Sequence, residues 1–208
     1  MTNKVRIMVV DDTITYRQIL SNVVTTLPKA ELVGTASSGK TAVMKFKSLK
    51  PHLVFLDVMM PEMDGIETLK ELKKIDPNVQ VVMVSGFDMA NAKATLESLE
   101  NGALDFVAKP TAENIQDGLK QLQKALEPLV EIVLNRVFPK SQTTESETLE
   151  KPIIRNRKTI PKPEMGVLDY VLIGISTGGP NALQKLFESI KVSINCPVLI
   201  VQHMPPMF

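Results

Sequence analysis

The sequence predicts an α/β protein: a doubly wound, five-stranded parallel sheet, a linker, and the first βαβ unit of a second, incomplete α/β domain. Three observations lead there. Short apolar runs alternate with helical patterns five times before residue 125. Those runs are nearly continuous in Val, Ile, Leu and Met, as strands covered on both faces require. Their strand-then-helix order favours parallel pairing with helices on both sides of the sheet.

The elements follow in order. VRIMVV (5–10) is a β-branched run that ends in Asp11 and Asp12. Leu20, Val23, Val24 and Leu27 then recur at helical spacing, and Pro28 ends that helix. Leu32 and Val33 suggest a second strand, closed by Gly34; Ala42, Val43 and Phe46 mark a second helix. LVFLD (53–57) is a third strand ending in an aspartate. Asp64-Gly65 opens a helix carrying Ile66, Leu69, Leu72 and Ile75, closed by Pro77. VQVVMV (79–84) leads to Ser85-Gly86, a polar helix covers roughly 90–100, and LDFVA (104–108) runs into Lys109-Pro110. A last helix carries Ile115, Leu119, Leu122 and Leu126, with an apolar extension from Leu129 to Val137.

This gives a first domain at 4–125, a helical extension and flexible linker at 126–165, and a partial second domain at 166–208. The linker reading rests on FPKSQTTESETLEKPIIRNRKTIPKPEMG, rich in Pro, Lys, Glu, Ser and Thr and without periodicity. Periodic structure resumes at DYVLIGI (169–175), read as a buried strand, then a glycine turn, a helix with Ala182, Leu183, Leu186 and Phe187, and the strand PVLIVQ (197–202).

Composition excludes several functions. Of 208 residues, 44% are hydrophobic and 23% charged, enough apolar mass for a sizeable core. Lys+Arg 24 against Asp+Glu 23 leaves no basic excess to drive binding to nucleic acid or anionic lipid. The longest apolar run, Tyr170 to Ile175, is far short of the roughly 20 residues of a membrane span. Asp11 and Asp12 arrive before a signal-peptide core could form, and one cysteine, Cys196, permits no internal disulfide. The expectation is a cytoplasmic protein with no direct membrane insertion.

The register places Asp11, Asp12, Asp57, Ser85 and Lys109 at the carboxyl ends of four strands, the edge where open α/β sheets bind ligands. Three aspartates meeting there repel one another, and a divalent cation with a taste for hard oxygen, Mg²⁺, keeps them ionised. A carboxylate so placed can attack a phosphoryl group and form an aspartyl-phosphate. Mg²⁺ and Lys109 would neutralise the transferring charge, with Ser85 placed to hydrogen-bond a phosphate oxygen. Any one of these aspartates alone reads as a loop residue or helix cap; the constellation carries the chemistry.

VVDD (9–12), LDVMMPEMDG (56–65), VSG (84–86) and DFVAKP (105–110) together resemble a two-component receiver domain, a flavodoxin-like fold. The resemblance implies that Asp57 is the phosphoacceptor. It implies that Asp11, Asp12, Asp57 and the Met59 backbone carbonyl hold Mg²⁺. Ser85 and Phe106 would form the switch pair with Lys109, and the Lys109–Pro110 bond would be cis. Phe106 stands where a tyrosine is commoner.

Gly174-Ile175-Ser176-Thr177-Gly178 fits G-x-S-x-G, a sharp turn that exposes a serine nucleophile. His203, at the end of the next strand, suits a general base. A plain glycine turn or a dinucleotide-binding loop fits too, though Ser176 stands where the latter wants its middle glycine, and Gln202-His203 where it wants an acid. LIGISTGGPNAL (172–183) and QHMPPMF (202–208), after a receiver and a linker, resemble the chemotaxis protein-glutamate methylesterase and protein-glutamine glutaminase family. That implies Ser176 as nucleophile, His203 as base, and Thr177 as support for the histidine or oxyanion. It implies a chemotaxis histidine kinase as phosphodonor and methyl-accepting chemotaxis receptors as substrate. The family's triad aspartate lies well beyond the second strand, so the 208 residues read either as a truncated or degenerate form or as a fragment of a longer chain, and by themselves they are expected to release no methanol. Two readings stay open: a phosphorylation-gated esterase, or an inactive stand-alone receiver that accepts phosphoryl groups in a phosphorelay.

Overall fold

The computed structural model describes residues 3–86, 97–110, 115–139, 169–175, 179–191 and 193–202. The elements are β1 (Val5–Val10), α1 (Ile14–Thr26), β2 (Ala30–Ala36), α2 (Gly39–Leu49), β3 (Leu53–Asp57), α3 (Gly65–Ile75), β4 (Gln80–Ser85), β5 (Asp105–Ala108), α4 (Ile115–Val137), β6 (Val171–Ile175), α5 (Gly179–Ser189) and β7 (Val198–Gln202). Strands β1–β5 form one parallel sheet in the order β2-β1-β3-β4-β5, so the strand order reverses at β1 and β3. Ligand crevices of open sheets lie at such a reversal.

The near-continuous apolar strands feed two cores, one on each face, because side chains alternate along a strand. Val5, Ile7 and Val9 of β1 join Phe55, Val82 and Val84 on one face, under α1 and α4. Met8 and Val10 join Val54, Leu56, Val81 and Met83 on the other, under α2 and α3. Helix α4 runs 23 residues through Pro128, and Leu129, Val130 and Val133 are buried in the first core with Leu122 and Leu126. The polar helix expected at 90–100 lies largely outside the described residues; 97–100 are helical.

Two strand expectations need correction. Gly34 does not close β2: the strand continues to Ala36, and its pairing with β1 shifts by one residue between Ile7 and Met8. A Cβ at Gly34 would come within 2.7 Å of Leu49 Cδ1, the flexible end of a side chain that would have to turn aside. The 171–175 strand is not buried. Among the described residues it pairs with β7 alone, and Leu172, Leu199 and Val201 are 63%, 51% and 64% exposed. A sheet two strands wide cannot cover both faces of either strand. The linker stretch 140–165 lies outside the described residues.

Candidate functional site

The carboxyl edge of the main sheet brings the acidic residues together. β1 runs into Asp11, which is fully buried, with Asp12 exposed beside it; β3 ends at Asp57, β4 at Ser85, and Lys109 follows β5. Lys109 Nζ lies 2.7 Å from Asp11 Oδ2 and 2.8 Å from Asp57 Oδ2, so one ammonium bridges two buried carboxylates. Carboxylate oxygens of Asp11, Asp12 and Asp57 lie within 4.8 Å of one another.

Local chemistry fixes each side chain. Thr13 N–H donates to Asp11 Oδ1 at 2.9 Å, and Arg17 Nη1 donates to the carbonyls of Asp11 and Asp12 at 2.7 and 3.1 Å. Arg17 thus clamps the β1–α1 turn from the helix side. The turn after β3 is set by Asp64, whose carboxylate accepts from Glu67 N–H while the Glu67 side chain reaches back to Asp64 N–H, a capping box. Gly65 has no room for a side chain: a Cβ would stand 2.2 Å from the Asp57 carbonyl oxygen. The chain therefore passes close behind the carboxylate it presents.

Burial raises the Asp57 pKa, offset in part by Lys109 and by the Met59 N–H that donates to its carboxylate. For Lys109, desolvation acts downward, but the two carboxylates outweigh it and its pKa is raised, so the ammonium persists through neutral pH. Three carboxylates against one ammonium leave two negative charges, the charge of one divalent cation. Asp11 Oδ2 meets the Lys109 ammonium at 2.7 Å and finds no other donor among the described residues. A buried anionic oxygen with acceptor capacity to spare, within an all-oxygen set, fits Mg²⁺. Asp11, Asp12 and Asp57 are the residues that could hold it.

Ser85 is buried, and its carbonyl accepts from Lys109 N–H at 2.6 Å, which ties β4 to the end of β5. Phe106 points into the α2–α3 core with Met83 and Leu99. The cis bond implied at Lys109–Pro110 is not found: there is no cis peptide among the described residues. The trans form is the intrinsically preferred isomer of an X–Pro bond, by about 0.5–1 kcal/mol. Ser176, Thr177 and His203 lie outside the described residues. The sequence reading missed Tyr16, whose ring faces Lys109 Nζ at 4.5 Å from its centroid. Its signal was present: Tyr16 precedes Leu20 by four residues, at the pocket end of the same helical stripe.

A parallel 2-1-3-4-5 sheet with three aspartates and a lysine at its carboxyl edge defines the receiver class of signalling domain. Residues 7–122 match the model of the response regulator receiver domain, and 171–208 that of the CheB methylesterase. The chain belongs to the response regulator receiver family, joined to the start of a CheB methylesterase domain. It is 39% identical over 213 residues to a protein-glutamate methylesterase/protein-glutamine glutaminase of Desulfotalea psychrophila, and 38% over 206 residues to one of Bacillus subtilis. Each match covers 98% of this chain and 57% of the relative, so the chain spans little more than half their length. The response regulator domain of Thermotoga maritima CheB superposes with a TM-score of 0.57 at 34% identity, covering 64% of this chain and 98% of that one. The CheX–CheY–BeF₃–Mg complex of Borrelia burgdorferi matches with a TM-score of 0.50 at 27% identity, covering 60% of this chain and 90% of that one.

Proposed function

We propose that Asp57 is a phosphoacceptor, and that its Mg²⁺-dependent phosphorylation controls an effector that demethylates glutamate methyl esters, and deamidates glutamines, on chemotaxis receptors. The observation that carries the first half is the Asp57–Lys109–Asp11 cluster at the strand-order reversal. A carboxylate oxygen of Asp57 forms the new O–P bond, and the bond from phosphorus to the donor breaks. With phosphoramidate, protonated on nitrogen at neutral pH, the leaving group departs as ammonia with the bonding pair. Lys109 meets the phosphoryl charge, and bound Mg²⁺ would supply the rest of the neutralisation. The Borrelia complex crystallised with BeF₃ and Mg supports this, because BeF₃ bound to a carboxylate oxygen is tetrahedral at beryllium and shaped like a phosphoryl group.

Ser85, Phe106 and Lys109 are the residues to report the phosphoryl group to the rest of the fold. The phosphodonor is a chemotaxis histidine kinase, which places the protein in the cytoplasm. In the effector, Ser176 is the nucleophile, His203 its base and Thr177 a support. The named relatives and the G-x-S-x-G sequence that begins at Gly174 in β6 support that half. Labelling with phosphoramidate and Mg²⁺ tests the first half: the parent is labelled and Asp57→Asn is not. Undiminished labelling of Asp57→Asn rejects it.

A further inference from the structure

Lys109 has three N–H donors and three neighbours in distinct chemistry. Two are carboxylates, at 2.7 and 2.8 Å. The third is the Tyr16 ring, 4.5 Å from its centroid to Nζ, well inside cation–π range. The side chain of Lys109 is only 9% exposed, so little water reaches the ammonium to compete with that face. Tyr16 stands in the first turn of α1, directly after the Asp11–Asp12 turn that Arg17 clamps, so its position is coupled to the acidic edge.

Phosphorylation alters one of the three neighbours. When the Asp57 oxygen becomes an acyl phosphate, its carboxylate charge is lost and the ammonium must turn to a phosphoryl oxygen. The Tyr16 face is neutral and chemically unchanged by the reaction. A flexible four-carbon side chain held by carboxylates alone would lose part of its anchorage at that moment.

We propose that Tyr16 is a positioning residue that holds the Lys109 ammonium over the phosphoacceptor through its ring face and thereby sets the rate at which Asp57 takes up a phosphoryl group. The inference rests on the phosphoacceptor reading of Asp57. Tyr16 touches no reacting atom and acts only through Lys109. The ring face carries the effect, so the hydroxyl is dispensable.

The test uses the full chain, phosphoramidate as donor and Mg²⁺. Tyr16→Leu is expected to take label about tenfold more slowly, the change that about 1.4 kcal/mol produces. Its half-saturating Mg²⁺ concentration should stay that of the parent, since all three carboxylates remain. Tyr16→Phe should restore the parent rate. In the unphosphorylated protein, the Lys109 ε-methylene protons should be shifted upfield by the ring current in the parent and in Tyr16→Phe, and not in Tyr16→Leu. A parent rate in Tyr16→Leu, or a Tyr16→Phe as slow as Tyr16→Leu, overturns the inference while leaving Asp57 its role. Absence of the ring-current shift in the parent overturns it without any phosphorylation. A parent that takes no label at all overturns the phosphoacceptor reading and this inference with it.

Discussion

Lys109 Nζ stands 2.8 Å from Asp57 Oδ2 while also pairing with Asp11, so the site's fixed cation occupies the place where charge would arrive. This arrangement has a stability consequence. Removing one partner of a buried ion pair leaves uncompensated charge, typically at a cost of about 3–5 kcal/mol. Lys109→Ala should therefore unfold at lower denaturant than the parent in EDTA at neutral pH. Mg²⁺ should raise its stability by more than it raises the parent's, because the cation then takes over the neutralisation. Denaturant melts with and without Mg²⁺ measure both. The same variant should lose the phosphate-induced change in amide spectra, since the group that senses the phosphoryl charge is gone.

Much of this fold was readable in the residues because its strands are short, apolar and followed by helices with a clear apolar stripe. Asp64-Gly65 announced α3, and the strand-end aspartates announced the pocket. What escaped was decided by distant parts of the chain. Gly34 reads as a strand terminator, yet the strand runs on through it to Ala36, with the Leu49 side chain of α2 packed against it. The apolar run of β6 reads as buried, yet burial depends on what covers it, and a strand's composition says nothing of its cover. Tyr16 reads as one more member of a helical stripe; only the sheet brings Lys109 beneath it.

The sequence reading ends the first domain at 125 and gives the apolar residues to Val137 as an extension of the last helix; α4 carries core residues into that extension. Leu129 is 4% exposed and packs in the core shared by α1 and the sheet. Leu129→Ala should cost about 2–5 kcal/mol, the usual range for a buried leucine truncated to alanine. Lys124→Ala, on the exposed side of the same helix, should stay within about 0.5 kcal/mol of the parent. Urea unfolding of both variants measures the difference. Equal midpoints would place Leu129 outside the cooperative unit.

His52 gives the receiver a pH-dependent component on the edge opposite the acidic pocket. Its Nδ1 accepts from Arg6 N–H at 3.2 Å, and its ring meets Phe138 edge-on at 5.6 Å, next to the end of α4. Burial, then the charge of Arg6, lowers its pKa from 6.5, with Glu31 opposing. A lowered folded value means the unfolded chain binds the proton more readily. The contribution of His52 is therefore complete above 6.5 and is lost as pH falls through the folded value. Between about pH 7 and pH 5 the parent should lose more stability than His52→Asn, which offers an acceptor that does not titrate. Ring-proton NMR should place the His52 midpoint below 6.5. A midpoint above it would reverse the sign.

The effector half yields the remaining prediction. In β6 and β7, Leu172 and Leu199 face each other in register, and both are more than half exposed, as is Val201. A serine nucleophile at such a strand end needs packing on both sides of its turn, and its histidine needs a partner to fix the tautomer. Two strands and one helix bury too little apolar surface to hold that geometry against the entropy of ordering it. The 208-residue polypeptide is therefore expected to release no methanol from methylated receptors, phosphorylated or not. The longer relatives, of which it spans 57%, are the comparison, and there a change equivalent to Ser176→Ala should abolish release. Methanol release by the 208-residue polypeptide that disappears in Ser176→Ala would overturn the expectation. It would mean that a second chain supplies an acid and a scaffold, in which case mixing with the separately expressed remainder of a relative's effector domain increases the rate, or that the triad is dispensable here.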